Sequence, residues 1–424
     1  MRASCRKRRS GFFLSASAMT LLAAASPAGA GGFDVREQSA FFAGMSYAGA
    51  AAGGASLSSM FWNPAAAGYV TDGLTTESAL SLIIPRADLT VEQFNGGPVP
   101  PVFDATVDVG RDALVPASYM AWRYSSDLVF AMSINSQFGL GTKPDNPNWI
   151  GAPVGRSSEL FSVNAAPTVA YRIAPGLQVG AGVQIQYLDL KGFKSSAGPP
   201  TAPSAVLEGD DWGFGFTAGV NIEPAPGTSI GIGYRSSIAH TLEGTSGVVA
   251  LPISFPISAD LDLPEKVTAS LRQELAQGWR ANATVEWTNW SRLQTVPVEG
   301  SPVPTTLDFQ WEDGWFFALG GEYDYDARTT LRAGIGYEIS PIREPSQRLV
   351  QLPDNDRVWL SAGAGYHIGE FLFWKDTTLD IAYSHVFVED GDFERHPAAA
   401  PGPVISGSVD AAVDIVTVGL RSKW

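Results

Sequence analysis

Four histidines, His240, His367, His385 and His396, and one cysteine, Cys5, are the only imidazole and thiol groups in 424 residues. A nucleophilic enzyme needs a hydroxyl or thiol beside a positioned base. Ser384 and His385 are adjacent, but they fall in an alternating run, where neighbours point to opposite faces. No catalytic constellation follows, and no Cys/His grouping has the spacing of a metal site. Gly231 to Gly233 also belongs to an alternating run rather than to a strand-to-helix turn that would cradle phosphate. The chain therefore reads as a non-enzyme that needs no cofactor or metal. What remains is recognition. Arg235, Arg280 and Arg332 lie on the polar faces of their runs, where each suits either a ligand carboxylate or a neighbouring acidic side chain. The apolar stretches Pro98 to Phe103 and Val248 to Ile257 suit either capture of a hydrophobic molecule or packing on one another.

The elements that would position these groups alternate with period two. Leu177, Val179, Ala181, Val183, Ile185 and Tyr187 stand against Gln178, Gly180, Gly182, Gln184 and Gln186. The same split recurs at Ile230, Ile232 and Tyr234, at Trp279 to Thr288, and at Leu331 to Tyr337. One face suits hydrocarbon and the other suits water, as in a soluble sandwich or a membrane barrel. Joint lengths decide between the two. Fourteen candidate strands follow residue 72. Tight joints such as Ser125-Ser126, Ala174-Pro175 and Asp326-Ala327 alternate with long ones at 139–157, 191–207, 243–258, 293–307, 341–355 and 390–408. That rhythm is the up-and-down arrangement of outer-membrane barrels. The last run places Val416, Val418, Leu420 and Trp424 on one face, so the sequence closes on an aromatic residue. Trp122, Trp212, Trp287, Trp290, Trp359 and Trp374 sit near strand ends, where interfacial girdles are expected.

Residues 1–30 read as a signal peptide: Arg2, Arg6, Lys7, Arg8 and Arg9, an apolar run from Phe12 to Ala25, then Ala28-Gly29-Ala30. Cleavage after Ala30 would leave 394 residues beginning Gly31-Gly32-Phe33, and Cys5 would leave with the leader, so no disulfide is expected. The 28 Lys and Arg include five in the leader, and the remaining 23 face 43 Asp and Glu. Such acidity excludes nucleic acid as a partner. Beyond the leader no apolar run approaches the roughly 20 residues of a spanning helix. A membrane-resident chain of this kind must span as a closed barrel.

Between leader and strands, Gly31 to Thr71 is small and apolar, with Asp34, Arg36 and Glu37 its only charges. It suits either a plug inside a barrel too wide to fill with its own side chains or an Ala/Gly-rich linker. Asn63-Pro64 marks a fixed bend. The expected division is thus a signal peptide (1–30), a hatch (31–71) and a fourteen-stranded all-β transmembrane barrel (72–424).

With Trp62-Asn63-Pro64-Ala65 set ahead of fourteen strands, the sequence resembles the FadL family of outer-membrane transporters for long-chain fatty acids and other hydrophobic compounds. Gly32-Phe33 and Ala48-Gly49-Ala50 are similar to parts of that family's hatch. Ser136-Gln137-Phe138-Gly139-Leu140 is similar to the third-strand segment where members kink inward. Asp211-Trp212-Gly213-Phe214-Gly215, Leu263-Pro264-Glu265, Trp287-Thr288-Asn289-Trp290-Ser291 and Leu352-Pro353-Asp354-Asn355-Asp356 follow in the family's order. The resemblance implies a bacterial outer-membrane monomer that takes a hydrophobic ligand, a fatty acid or hydrocarbon, and releases it sideways through a gap in its wall. It implies that Phe33, Asn63, Pro64, Phe138 and Gly139 bind or gate. Phe33 would either couple ligand to hatch or anchor the terminus; Gly139 would either kink the strand or begin a loop. Two departures stand out. Gly53 to Ser58 lacks the hatch aspartates common in the family, and the 191–207 joint is short for the loop that forms an outer capture groove.

Overall fold

The computed structural model describes residues 31–249, 251–371, 374–398 and 402–424; the expected signal peptide lies outside them. β1 (Leu74–Phe94), β2 (Ala113–Arg123) and β3 (Leu128–Asn135, resuming at Gly139–Thr142) lead into β4 (Ser158–Ala174), β5 (Leu177–Ser196) and β6 (Ser204–Ala225). β7 has two pieces, Thr228–Arg235 and Ile238–Val248, and so does β8, Ser254–Leu263 and Lys266–Ala276. The remainder are β9 (Trp279–Thr288), β10 (Gly314–Asp324), β11 (Thr329–Ile339), β12 (Arg357–Phe371), β13 (Trp374–Val388) and β14 (Ile405–Lys423). Neighbours pair antiparallel. β14 returns to β1 through a ladder from Thr75↔Lys423 to Phe94↔Ile405, closing fourteen strands into a ring.

Period two makes the wall two-faced. Leu80, Leu82 and Ile84 of β1 are exposed on the outside, as are Phe214 and Phe216 of β6, Ile335 of β11 and Val416 and Val418 of β14. Inward positions on the same strands carry Glu77, Ser81, Asn221, Arg332 and Thr417, all buried. Further along β1 the two faces change character. The outward residues become Arg86, Asp88 and Thr90, while the inward ones become Ala87, Leu89 and Val91, which are buried. The apolar outer belt ends at that level, and an apolar interior begins there.

This exchange corrects the expected loop lengths. β5 runs on to Ser196 and β6 starts at Ser204, while β7 reaches Val248 and β8 starts at Ser254. The joints 191–207 and 243–258 are therefore mostly strand, because alternation persists after the polar face has switched sides. The joint 293–307 holds a small separate ribbon, Thr295–Val298 against Thr305–Asp308.

The segment from Gly31 is buried through Gly53 and again from Ser56 to Gly68. It has little repetitive structure: a short helix Ala40–Ala43 and two 3-10 turns, Leu57–Phe61 and Pro64–Tyr69. Ser39 caps the helix by accepting from the Phe42 amide at 3.2 Å, a satisfied end that lets so short a helix form. With few internal bonds, the segment uses inward-facing wall residues instead. The Gly49 amide donates to Thr284 Oγ1 at 2.9 Å, the Ala51 amide to Ser270 Oγ at 3.0 Å, and Arg235 Nη1 to the Phe61 carbonyl at 2.9 Å. Backbone meets backbone where the wall carries glycine. A Cβ on Gly233 would stand 1.8 Å from the Trp62 carbonyl oxygen, and one on Gly334 2.3 Å from that of Met45.

Ser56, Leu57 and Ser58 occupy the stretch without hatch aspartates. There the wall supplies the carboxylate: Glu77 of β1 accepts from the amides of Leu57 at 2.8 Å and Ser58 at 3.2 Å, and from Ser56 Oγ at 2.6 Å.

Candidate ligand-binding site and wall interruption

An apolar cavity lies over the buried segment, enclosing about 840 Å3 of empty space when the solvent at its open side is included. Its walls come from inward positions beyond the level at which polarity switches. Leu160 of β4, Leu190 of β5, Leu242 of β7 and Leu261 of β8 contribute from the ring, and Val296, Phe309 and Leu352 from the long joints. On β5 the even positions change from Gln184 and Gln186 to Leu188 and Leu190, so one strand builds both the polar interior below and the apolar chamber above. Ser158, Glu208 and Gln351 are the polar residues in the lining, and no cationic side chain is among them.

Phe33 lies at the base of this cavity. Its ring meets Phe138 at 5.9 Å, Trp290 at 4.9 Å and Trp311 at 5.8 Å. The contacts with Phe138 and Trp290 are edge-to-face and that with Trp311 is tilted; aromatic pairs of this kind add about 0.5–1.5 kcal/mol each beyond area burial. Trp290 and Trp311 have no place in the sequence-based site; Trp290 was assigned to a girdle. Trp290 and Trp359 are in fact fully buried inside the ring. Trp359 shares parity with the inward Arg357 and Ser361, a signal that points it inward. Trp290 belongs to a 3-10 turn, Trp290–Arg292, after β9, where strand parity no longer assigns a face. Trp122 and Trp212 are exposed as girdle residues would be.

Phe138 and Gly139 come together with Phe33 because β3 leaves the wall. The β2–β3 ladder runs from Arg123↔Val129 to Ser118↔Ile134 and stops. Past Asn135 the chain turns inward and pairs with the buried segment instead. The Val35 amide donates to the Gln137 carbonyl at 2.8 Å, and the Gly139 amide to the Phe33 carbonyl at 2.9 Å. Gly139 thus begins the second half of β3, which pairs only with β4, Gly139↔Phe161 to Thr142↔Ser158. Among the described residues, the edge of β2 from Ala113 to Ala117 has no ladder partner on the β3 side. The interruption is closed at its far end by amide donation from Lys143 to Val109 and from Asp145 to Asp108. A second cavity of about 500 Å3 lies beside the interruption, lined by Pro85, Val109, Gly141 and Val413, and it shares Leu140 and Leu352 with the first.

Asn63 and Pro64 sit apart from the cavity. Asn63 Oδ1 caps the turn by accepting from Ala65 at 3.0 Å, while its Nδ2 donates to the Ala51 carbonyl at 2.9 Å and to Asn221 Oδ1 at 2.8 Å. Its geometry is that of a fastener between the buried segment and β6. Of the three inward arginines, Arg332 pairs with Asp380 at 2.7 Å and Arg280 with Asp324 at 2.5 Å. Arg235 has the Phe61 carbonyl, Gln137 and Gln184 as acceptors and lies over the Phe61 ring. None of the three lines the apolar cavity.

A buried charge cluster underlies Phe33. Lys266 pairs with Asp34, Arg36 with Glu286 and Glu338, and Arg357 with Asp354. Burial holds the Asp34 carboxyl above the usual carboxylate range despite Lys266, and pushes Glu37 up to about 7. On the outer side of the loops Val102, Val249, Leu251 and Ile253 are exposed, and Val248, Val249, Leu251 and Ile253 line an open groove.

The profile of a family described as outer membrane protein transport protein (OMPP1/FadL/TodX) matches residues 21–424. The chain is 27% identical over 437 aligned residues to the long-chain fatty acid transport protein of Escherichia coli O6:H1, covering 92% of this chain and 94% of that one. It is 26% identical to outer membrane protein P1 of Haemophilus influenzae, covering 87% and 88%. Among solved structures, a Pseudomonas aeruginosa FadL homologue superposes with a TM-score of 0.83 at 20% identity, covering 92% of this chain and 99% of that one. The Ralstonia pickettii toluene transporter TbuX gives 0.64 at 18% identity, over 92% and 99%. At such identities the superpositions establish a shared fold.

Proposed function

Because the chain belongs to the OMPP1/FadL/TodX family and its barrel resides in the bacterial outer membrane, we propose that it imports hydrophobic molecules, long-chain fatty acids foremost, by a sideways route. Cargo settles on the exposed apolar loops, enters the cavity above Phe33, and leaves through the interrupted ladder between β2 and β3. The observation that carries this reading is the hydrogen bond from Gly139 to Phe33, which ties the residue beneath the cavity to the kink that opens the wall. Movement of Phe33 on ligand binding then loosens both the hatch, residues 31–71, and the kinked strand. Lateral exit suits the cargo, since each CH2 kept out of water is worth about 0.8 kcal/mol. A monomer suffices, for cavity, hatch and exit all belong to one chain.

A second reading, uptake of neutral hydrocarbons, is favoured by the absence of any cation in the cavity lining. For a fatty acid, the tail occupies the cavity and the carboxylate lies outside it. Uptake of labelled long-chain fatty acid and of toluene is measured in cells carrying the intact protein, a protein lacking residues 31–71, or Gly139→Pro. The reading expects uptake by the intact protein, open-channel current in the truncated form, and loss of uptake in Gly139→Pro. Equal uptake by all three defeats it, and the preferred cargo separates the two substrate classes.

A further inference from the structure

Glu338 and Glu286 are both buried, with side chains 6% and 1% exposed, and they share one cation: Arg36 reaches Glu286 at 2.9 Å and Glu338 at 3.3 Å. Lys266 and Arg357 stand close enough to act on Glu286 and Glu338, but their own ion pairs are with Asp34 and Asp354, so three cations face the four carboxylates Asp34, Glu286, Glu338 and Asp354. Two carboxylates grouped on one guanidinium in a dry interior are costly unless another cation completes the set. The remaining donor at Glu338 Oε1 is the backbone nitrogen of Gly31, at 3.1 Å, and the next amide, Gly32, donates to Asp354 Oδ2 at 2.7 Å. The carboxylate of Glu338 lies so close that any side chain at Gly31 would have to displace it. A Cβ on Gly31 would stand 2.6 Å from Glu338 Oε1.

We propose that the peptide bond Ala30–Gly31 is hydrolysed by a leader peptidase and that the α-ammonium so released at Gly31 is the missing counter-ion of Glu338. The step consumes one water and converts the amide into the Ala30 carboxylate and the Gly31 ammonium. A neutral amide donor is thereby replaced by a charged one, and hydrogen bonds between charged partners are roughly twice as strong as neutral ones. Removal of the leader and docking of the terminus beneath Phe33 become one event. The inference does not depend on what the barrel carries.

The test uses protein purified from outer membranes in detergent, with intact mass to fix the terminus and an amine-reactive acylating reagent to probe it. The expected terminus is Gly31. Pairing with Glu338 raises the amine's proton affinity, and a rise of one pKa unit lowers the reactive fraction about tenfold. Acylation of Gly31 is therefore about tenfold slower or more in the folded protein than in the unfolded one. Glu338→Gln brings the folded rate back towards the unfolded one, which burial alone would not do. Should that variant fail to fold, one alanine inserted between Ala30 and Gly31 moves the amine off Glu338 and gives the same recovery. A terminus elsewhere, equal rates in folded and unfolded protein, or slow acylation persisting in the folding variant overturns the proposal.

Discussion

Phe33 accepts a hydrogen bond from the amide of Gly139 at 2.9 Å while its ring packs edge-on against Phe138 at 5.9 Å. The tip of the buried segment and the kink in the wall are thus held by one polar and one apolar contact, on adjacent residues of β3. Neither group can shift without disturbing the other.

Phe33→Ala should remove three aromatic contacts and open a void at the base of the cavity. Large-to-small changes of this kind cost about 3–5 kcal/mol. Ligand affinity, measured by tryptophan fluorescence titration, is expected to fall by at least tenfold while the barrel remains folded. Unchanged affinity would remove Phe33 from the binding site.

Leu242→Trp should do the converse. Leu242 faces the cavity from β7 and touches none of the leading segment's fastening bonds. A larger ring fills the chamber, so uptake of long-chain cargo should drop with little change in thermal stability. Retained uptake would mean that cargo does not pass through this cavity.

Asn63→Ala removes a helix cap and the Nδ2 bonds to Ala51 and Asn221. Loss of a cap costs about 0.5–2 kcal/mol. The expected signature is faster amide exchange across residues 50–68 with unaltered exchange in the β-ladders. A uniform change over the whole chain would contradict the fastener role.

Glu37 gives a pH dependence of definite sign. Burial pushes its carboxyl up to about 7, and its Oε2 has no hydrogen-bond partner among the described residues. The unfolded value is about 4.3, so between these limits the folded protein binds more protons and stability falls as pH rises. This contribution is fully present below about pH 4 and lost above about pH 7. Glu37→Gln should flatten the melting temperature between about pH 5 and 8 and exceed the parent above that range. A parallel slope in both proteins would exclude Glu37 as the source.

The wall was legible in the sequence because period two persists for whole strands, and Leu177 to Tyr187 alone separates lipid-facing from lumen-facing positions. The chamber was harder to see. Its leucines, Leu160, Leu190, Leu242 and Leu261, are inward residues on stretches where the polar face has crossed to the outside, so they resemble loop hydrophobics. The signal was the change from Gln184 and Gln186 to Leu188 and Leu190 at constant parity. The kink at Phe138 was legible through family likeness. Its partner Trp290 was not, since a 3-10 turn carries no strand parity. The shared use of Arg36 by Glu286 and Glu338 joins residues about 250 and 302 positions apart, which no local pattern encodes.

The glycines at 233 and 334 are notches cut to the contour of one particular leading segment. A leading segment whose backbone followed another path would lose the close approach that these notches give Trp62 and Met45. Exchange of this leading segment for another should therefore succeed only when the wall strands that carry Gly233 and Gly334 are transplanted with it.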